Sequence, residues 1–123
     1  MEFDPLSNRV LGCALEVHKT LGPGLLESVY ESALVYELSA AGILAQRQVD
    51  VPVAYKEVKL DCGFKVDVLV EKQLIVELKS VESLLPLHEA QLLTYLKLTG
   101  CKVGLLINFN VPLLKQGIKR FVL

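Results

Sequence analysis

The chain has 123 residues, of which 52% are hydrophobic and 22% are charged. A chain of this length hides roughly two-thirds of its unfolded surface on folding, so it can build one sizeable core without a disulfide or a structural metal. This composition excludes a disordered chain and predicts a single domain over residues 1–123.

The charges are balanced overall but unevenly distributed. Thirteen Lys and Arg residues stand against fourteen Asp and Glu residues, and the net charge is −1. This argues against a protein that coats nucleic acid non-specifically, because such binding rests on many phosphate contacts. No acidic residue follows Glu89, whereas the last third of the chain contains Lys97, Lys102, Lys115, Lys119 and Arg120. That basic third either steers a polyanion or is ordinary surface lysine.

Cysteine usage and hydropathy indicate the cellular compartment of the protein. The three cysteines are widely spaced, and neither a C-x-x-C pair nor a zinc-like Cys/His spacing occurs. Cys13 and Cys101 lie in apolar stretches and are interpreted as small buried hydrophobic residues. The N-terminal residues lack the pattern of a signal peptide, and no uncharged apolar run is long enough to span a membrane. We therefore expect a reducing, cytoplasmic location and no contact with a membrane.

Two helices are predicted in the first third of the chain. Apolar residues recur at helical spacing over 6–21 and again over 26–41. Between them, Gly22-Pro23-Gly24 breaks the helix, because proline removes a backbone donor and glycine takes unusual backbone angles. Gly42 is a natural stop for the second helix.

The rest of the chain is predicted to contain five strands and one helix. Alternating apolar residues predict strands, and short continuous apolar runs predict buried central ones. The predicted strands are 49–55, 64–70, 74–79, 103–107 and 118–123, and the helix is 86–99. The element order αα-βββ-α-β-β predicts an α/β fold with a mixed β-sheet flanked by helices.

The strands at 64–70 and 74–79 place charged side chains among apolar ones. The four apolar residues at even positions from 64 to 70 are predicted to share one face, and Lys65 and Asp67 the other. In the second strand, Glu77 and Lys79 share a face. Each strand thus presents one carboxylate and one lysine on the same side.

A three-residue hairpin loop at 71–73 would place Asp67 directly across from Glu77, and Lys65 across from Lys79. Two opposed carboxylates destabilise a sheet unless a proton or a cation lies between them. Oxygen ligands of this kind suit Mg²⁺ or Mn²⁺. A solvated strand face with alternating salt bridges is the alternative, since acids and lysines are common there.

Polar residues on two predicted helices add to this pattern. Gln91 and Tyr95 are four residues apart on the helix at 86–99, so they share a face. Glu27 and Tyr30 are three apart at the start of the second helix. Each has a structural alternative: Glu27 compensates the helix dipole, and the two tyrosines are core aromatic residues with a polar edge.

The segment Gly24-Leu25-Leu26-Glu27-Ser28-Val29-Tyr30 has the pattern G-x-x-E-x-x-Y. Four further segments accompany it: DVLV at 67–70, IVELK at 75–79, AQLLTYLK at 90–97 and LINF at 106–109. Together these segments resemble the GxxExxY protein family, within the PD-(D/E)XK nuclease superfamily, over roughly residues 6–123. One departure is Lys65, where relatives are expected to have arginine; it leaves the metal residues untouched.

The resemblance implies a restriction-endonuclease-like core and a nuclease that hydrolyses phosphodiester bonds with Mg²⁺ or Mn²⁺. It implies that Asp67 and Glu77 hold the metal, that Lys79 is the catalytic lysine, and that Glu27 supplies a further acidic residue from the first core helix. Gln91 and Tyr95 match the Q-x-x-x-Y motif of the RecB-like branch, which lies beside the active site.

We therefore predict a site with three groups of residues. The catalytic residues are Lys79, Glu27, Gln91 and Tyr95, the metal ligands are Asp67, Glu77 and Glu27, and the substrate-binding residues are Tyr30, Lys65 and Lys97. DNA is the expected substrate. A core of this size covers little of a duplex, which favours a homodimer or a partner protein that supplies substrate recognition. The alternative function is a non-catalytic nucleic-acid-binding or assembly module that retains the fold.

Overall fold

The computed structural model describes residues 3–123, apart from the side chains at positions 61 and 62. Its three α-helices are α1, Pro5–Leu21, α2, Glu27–Ala40, and α3, Pro86–Thr99. The helices predicted from the sequence are confirmed, with boundaries that differ by at most one residue. None of the helices within the described residues combines the length and the hydrophobicity of a membrane-spanning segment.

Local signals fix the ends of these helices. Asp4 caps α1: its carboxylate accepts hydrogen bonds from the backbone N–H of Ser7 at 3.0 Å and from the Ser7 hydroxyl at 2.7 Å. Gly22, with φ 72°, ends α1 at the predicted break. Gly100, with φ 77°, ends α3 in the left-handed conformation that favours glycine.

Five strands form one mixed sheet in the order β1-β2-β3-β4-β5. Their bounds are Ala45–Tyr55, Val58–Val70, Leu74–Lys79, Val103–Asn108 and Ile118–Val122. Neighbouring strands are antiparallel except β3 and β4, which are parallel. The predicted element order and the α/β class are confirmed.

Two features of the fold were not predicted from the sequence. β1 and β2 extend beyond their predicted ranges and are joined by a two-residue turn, Lys56-Glu57. Neither residue is a typical turn former, although Lys56 takes a φ of 55° there. A short 3₁₀-helix, Leu114–Gly117, precedes β5.

The sheet separates two hydrophobic clusters. The first, which we call the α1/α2 core, is packed under those two helices and includes Val10, Leu34, Val68, Val76 and Ile107. The second, the α3 core, lies on the opposite face and includes Val51, Val66, Ile75, Leu92 and Leu106. The molecule thus has three layers, with helices on both faces of the sheet.

The strict alternation predicted for residues 64–70 is wrong at one point. Val68 packs in the α1/α2 core, but Val66 packs in the α3 core. The switch occurs at Asp67, whose neighbour on β1 is Gln48 with a φ of 48°. β1 and β2 pair on both sides of this position but not at it, so the regular ladder is interrupted where the side chains change face.

Candidate active site

The predicted register of the β2–β3 hairpin is confirmed for the pairs Val70–Leu74, Leu69–Ile75 and Val68–Val76. Beyond the last of these pairs, hydrogen bonds to side-chain carboxylates replace the backbone hydrogen bonds between β2 and β3. The backbone N–H of Leu78 donates to Asp67 Oδ2 at 2.9 Å, and the backbone N–H of Asp67 lies 3.4 Å from Glu77 Oε1. Asp67 and Glu77 are therefore close neighbours, as the sequence predicted.

Glu77 lies on the face of β3 that is covered by α3, because its neighbours Val76 and Leu78 point into the α1/α2 core. Only 5% of it is exposed. The pKa of the Glu77 carboxyl is raised from 4.5 to about 9, first by burial and then by the adjacent Asp67 carboxylate. The backbone N–H of Asp67 and the ammonium group of Lys79 lower this pKa by less. A proton or a cation is thus required for the pair to exist in this sheet.

The donor chemistry of this pair fits a hard divalent cation. Two carboxylates supply oxygen ligands, and a buried, negatively charged pair is stabilised by an ion of charge +2 more than by one lysine. Each carboxylate also keeps lone pairs that the hydrogen bonds described above do not use. Asp67 and Glu77 are therefore the residues that could hold such a cation.

Lys79 is the last residue of β3 and shares the face of Glu77. Its ammonium group lies near enough to Glu77 to lower the pKa of that carboxyl. The chain then leaves the sheet through a loop that Asn108 holds in place: its buried amide donates to Val81 O at 2.9 Å and accepts from Val81 N at 3.1 Å. Lys79 and Asn108 are neighbours in the parallel β3–β4 ladder, so this loop is fixed directly after the lysine.

Gln91 and Tyr95 lie on α3, which covers the face of the sheet that holds Glu77 and Lys79. Tyr95 is 8% exposed and stacks on Phe64 with ring centroids 3.9 Å apart. Burial raises the pKa of the Tyr95 phenol, and the charges of Glu77 and Asp67 raise it further, while Gln91 beside it acts in the opposite direction. The phenol therefore remains a protonated donor near both carboxylates.

Glu27 does not complete a three-carboxylate cluster. It is exposed in the first turn of α2. Among the side chains that the structure describes, which exclude positions 61 and 62, no group of three or more His, Cys, Asp or Glu residues is close enough to share a metal ion. Its position at a helix N-terminus matches the alternative role, compensation of the helix dipole. A metal-binding or catalytic Glu27 thus remains a prediction.

The three predicted substrate-binding residues lie in different environments. Tyr30 is fully buried, stacks on Phe109, and uses its hydroxyl to donate to Gly22 O at 2.6 Å and to accept from Leu25 N at 3.1 Å. This environment matches the alternative interpretation, a core aromatic residue with a polar edge, and the hydroxyl fixes the loop before α2. A substrate-binding role for Tyr30 remains a prediction.

The two lysines also differ from expectation. Lys65 does not face Lys79, because the β2–β3 pairing ends before it, and its Nζ lies 2.5 Å from Asp50 Oδ1 on β1. Lys97 is exposed on α3, about 200° around the helix from Tyr95, so it points away from the carboxylates. The three residues therefore do not form one substrate-binding group with the site.

Two residues connected to the site by hydrogen bonds, Glu31 and Gln48, were not predicted from the sequence. Glu31 is buried, accepts two hydrogen bonds from Arg47 at 2.9 and 3.1 Å, and accepts a third from Gln48 at 2.6 Å. The sequence contained a signal that Glu31 is buried, because it lies at helical spacing from the buried Leu34 and Leu38. No local signal marked Gln48.

The model of one protein family matches residues 4–121, which is nearly the whole chain, and that family is described as the PD-(D/E)XK nuclease superfamily. Comparisons with curated proteins and with solved structures gave no significant match.

Proposed function

We propose that this chain, which belongs to the PD-(D/E)XK nuclease superfamily, is a metal-dependent nuclease that hydrolyses phosphodiester bonds in DNA. The observation that carries the proposal is the contact between Asp67 and the buried Glu77, on the face that also holds Lys79. A buried carboxyl with a raised pKa beside a second carboxylate and a lysine is typical of a functional site, since it costs stability without a ligand.

Asp67 and Glu77 would hold Mg²⁺ or Mn²⁺ through their carboxylate oxygens. When bound, such a cation lowers the pKa of a coordinated water and neutralises charge on the phosphate oxygens. The two carboxylates are already oriented by backbone N–H groups of neighbouring strands, so little reorganisation is needed. Rigid strands make this positioning more exact than a loop would.

Lys79 would orient the attacking water and offset the negative charge that develops on the phosphate. It lies two residues after Glu77, so its Cα is about 6.5–7 Å further along the strand. That spacing leaves room for a water and a phosphate oxygen between the ammonium group and the carboxylates. The fixed loop after Lys79 limits the motion of the strand end.

Gln91 and Tyr95 would position these groups or the substrate. The protonated phenol of Tyr95 can donate a hydrogen bond to a carboxylate or to a phosphate oxygen. Gln91 is exposed one turn before it, where a polar substrate can reach its amide. The same two residues, with Gly24, Glu27 and Tyr30, support the further proposal that the chain belongs to the GxxExxY family and the RecB-like branch.

Substrate recognition is proposed to depend on a second chain, either another copy or a partner protein. The net charge of −1 supplies little general attraction for a polyanion. Of the lysines predicted to bind substrate, Lys65 is paired with Asp50. The nucleolytic site is therefore proposed to act on DNA that is presented to it.

A cleavage assay on single- and double-stranded DNA and RNA, with Mg²⁺ or Mn²⁺, tests the proposal. Lys79→Ala is expected to fold normally and bind metal but to cleave at least about a hundredfold more slowly, since it loses a charge that acts in the transition state. Lys102→Ala is the matched control, because Lys102 is an exposed lysine at the opposite end of the sheet, next to the start of β4.

The outcomes separate enzyme from binding module. Wild-type protein that binds Mn²⁺ and DNA but cuts no substrate would favour the non-catalytic nucleic-acid-binding or assembly module. Equal rates for Lys79→Ala and the wild type would keep the nuclease and remove Lys79 from its mechanism. Preferential cleavage of RNA would correct the proposed substrate alone.

A further inference from the structure

β1 contains a residue in an unusual backbone conformation. Gln48 has a φ of 48°, in the left-handed region that side-chain-bearing residues rarely occupy. The other described non-glycine residues with positive φ are Lys56, Glu71 and Lys72, which lie in the two hairpin turns. Gln48 lies inside a strand, so turn geometry does not account for it.

The conformation interrupts the ladder opposite Asp67. β1 and β2 pair at Arg47–Val68 and at Val49–Val66, and the position between them, Gln48 opposite Asp67, is not paired. Asp67 is therefore released from the regular β1–β2 pairing at the point where its side chain turns toward β3. The left-handed residue and the candidate metal ligand are direct neighbours.

The side chain of Gln48 connects Asp67 to a buried carboxylate. Gln48 Nε2 donates to Glu31 Oε1 at 2.6 Å and lies 3.4 Å from Asp67 Oδ1, near the long end of the hydrogen-bond range. One amide nitrogen has two N–H groups and can serve both acceptors. The other oxygen of Asp67 accepts from Leu78 N, so both oxygens of this carboxylate are directed by the protein.

Glu31 gives the amide a fixed anchor. It is 7% exposed, and the guanidinium of Arg47 donates two hydrogen bonds to its Oε2. Arg47, on β1, also donates to the hydroxyl of Ser32 on α2 at 3.1 Å, which fixes the guanidinium against the helix. The contacts Glu31–Gln48–Asp67, supported by Arg47, therefore connect α2 to the candidate site.

We propose that Gln48 is a positioning residue that orients the Asp67 carboxylate for metal binding, with Glu31 and Arg47 as its support. The inference rests on the proposed function, because only that function gives Asp67 a metal ion to bind. Hydrogen-bonded partners of metal ligands fix ligand orientation, and their loss costs metal affinity. The left-handed backbone persists because the side chain is held at its far end by Glu31.

Two substitutions separate the effect of the Gln48 side-chain amide from the effect of its backbone conformation. Gln48→Met keeps the length of the side chain but removes its hydrogen-bond donors. Gln48→Gly removes the donors too, and it relieves the strain of the left-handed conformation. Gln46→Met is the matched control, because Gln46 is an exposed glutamine two positions earlier on β1, in regular pairing with Leu69. All three are compared with the wild type.

The first measurement uses metal-free protein. Amide hydrogen exchange at Leu78 reports its bond to Asp67, and exchange at Ile107 in β4 serves as an internal reference. Leu78 is expected to exchange about three- to tenfold faster relative to Ile107 in both Gln48 variants, as for a weakened hydrogen bond, and to be unchanged in Gln46→Met. Unchanged relative exchange at Leu78 in Gln48→Met would overturn the inference.

The second measurement is the affinity for Mn²⁺ by calorimetry. Gln48→Met is expected to bind Mn²⁺ about 10–100-fold more weakly than the wild type, while Gln46→Met binds normally. Faster Leu78 exchange with normal Mn²⁺ affinity would also overturn the inference, since Gln48 would then order the sheet and not a metal ligand. If the wild type binds no Mn²⁺, the proposed function fails, and the exchange of Leu78 alone decides whether Gln48 orients Asp67.

Discussion

At the scale of single residues, the proposed role of Glu77 as a metal ligand conflicts with its contribution to stability. Its carboxyl is buried beside Asp67, and its pKa rises from 4.5 to about 9. The folded protein therefore binds one more proton than the unfolded chain between these values, and stability falls as pH rises through that window. The stabilising form of Glu77 is the neutral one, whereas a metal ligand must be charged.

We predict that Glu77→Gln raises the free energy of unfolding of the metal-free protein at pH 8 and leaves it nearly unchanged at pH 4. The wild type should lose at most about 1.4 kcal/mol per pH unit between these pH values through this group, and the variant should lose less. Urea denaturation followed at several pH values measures both slopes. Parallel slopes for the two proteins would contradict the assignment of the raised pKa to Glu77.

The same substitution should abolish tight Mn²⁺ binding, because an amide cannot supply the negative charge of a carboxylate. A variant that is more stable and no longer binds metal would identify Glu77 as a residue retained for function. This combination is common where a site needs buried charge.

At the scale of elements, the end of β4 and the start of β5 form a crowded junction. A Cβ at Gly117 would lie 2.2 Å from the backbone oxygen of Asn108, a residue whose side chain also holds the loop after Lys79. The backbone cannot move aside as a flexible side chain can. A close approach of two backbones therefore requires glycine here.

We predict that Gly117→Ala lowers the free energy of unfolding by about 1–3 kcal/mol through overpacking. Gly12→Ala is the control, because a Cβ at Gly12 meets nothing within 4 Å and the residue lies in the middle of α1. That variant should instead be more stable by roughly 0.5–1 kcal/mol, as expected for alanine in a helix. Equal effects at both positions, measured by thermal unfolding, would contradict the crowded junction.

At the scale of the whole molecule, the proposed metal binding would be linked to folding. The carboxylate pair joins β2 to β3 in the centre of the sheet, and it is assembled only in the folded chain. A cation that binds the folded state alone stabilises it by about 2.7 kcal/mol at a concentration one hundred times its dissociation constant. In a chain of this size, that corresponds to a rise of roughly 10 °C in Tm.

We therefore predict that saturating Mn²⁺ raises the Tm of the wild type and that a chelator reverses the rise. Asp67→Asn should show little or no rise, since one ligand charge is lost. Differential scanning fluorimetry of both proteins, with and without the chelator, checks this. A similar rise in Asp67→Asn would indicate that Mn²⁺ binds elsewhere on the molecule.

The sequence by itself determined the three α-helices, the order of helices and strands, and the register of the central hairpin. Periodicity, the break at Gly22-Pro23-Gly24 and the three-residue loop at 71–73 are local signals, and local backbone geometry acts through them directly. They were sufficient to predict the contact between Asp67 and Glu77, because that contact depends on two adjacent strands.

The tertiary structure alone decided which residues from other elements join that pair. Glu27 and Glu31 are one turn apart on α2, yet the buried Glu31 is the one that connects to Asp67 through Gln48. Tyr30, on the same helix, likewise points into the core. Spacing along one helix or strand fixes which side chains share its face, but the rotation of a helix against the sheet and the twist of the strands fix what that face meets.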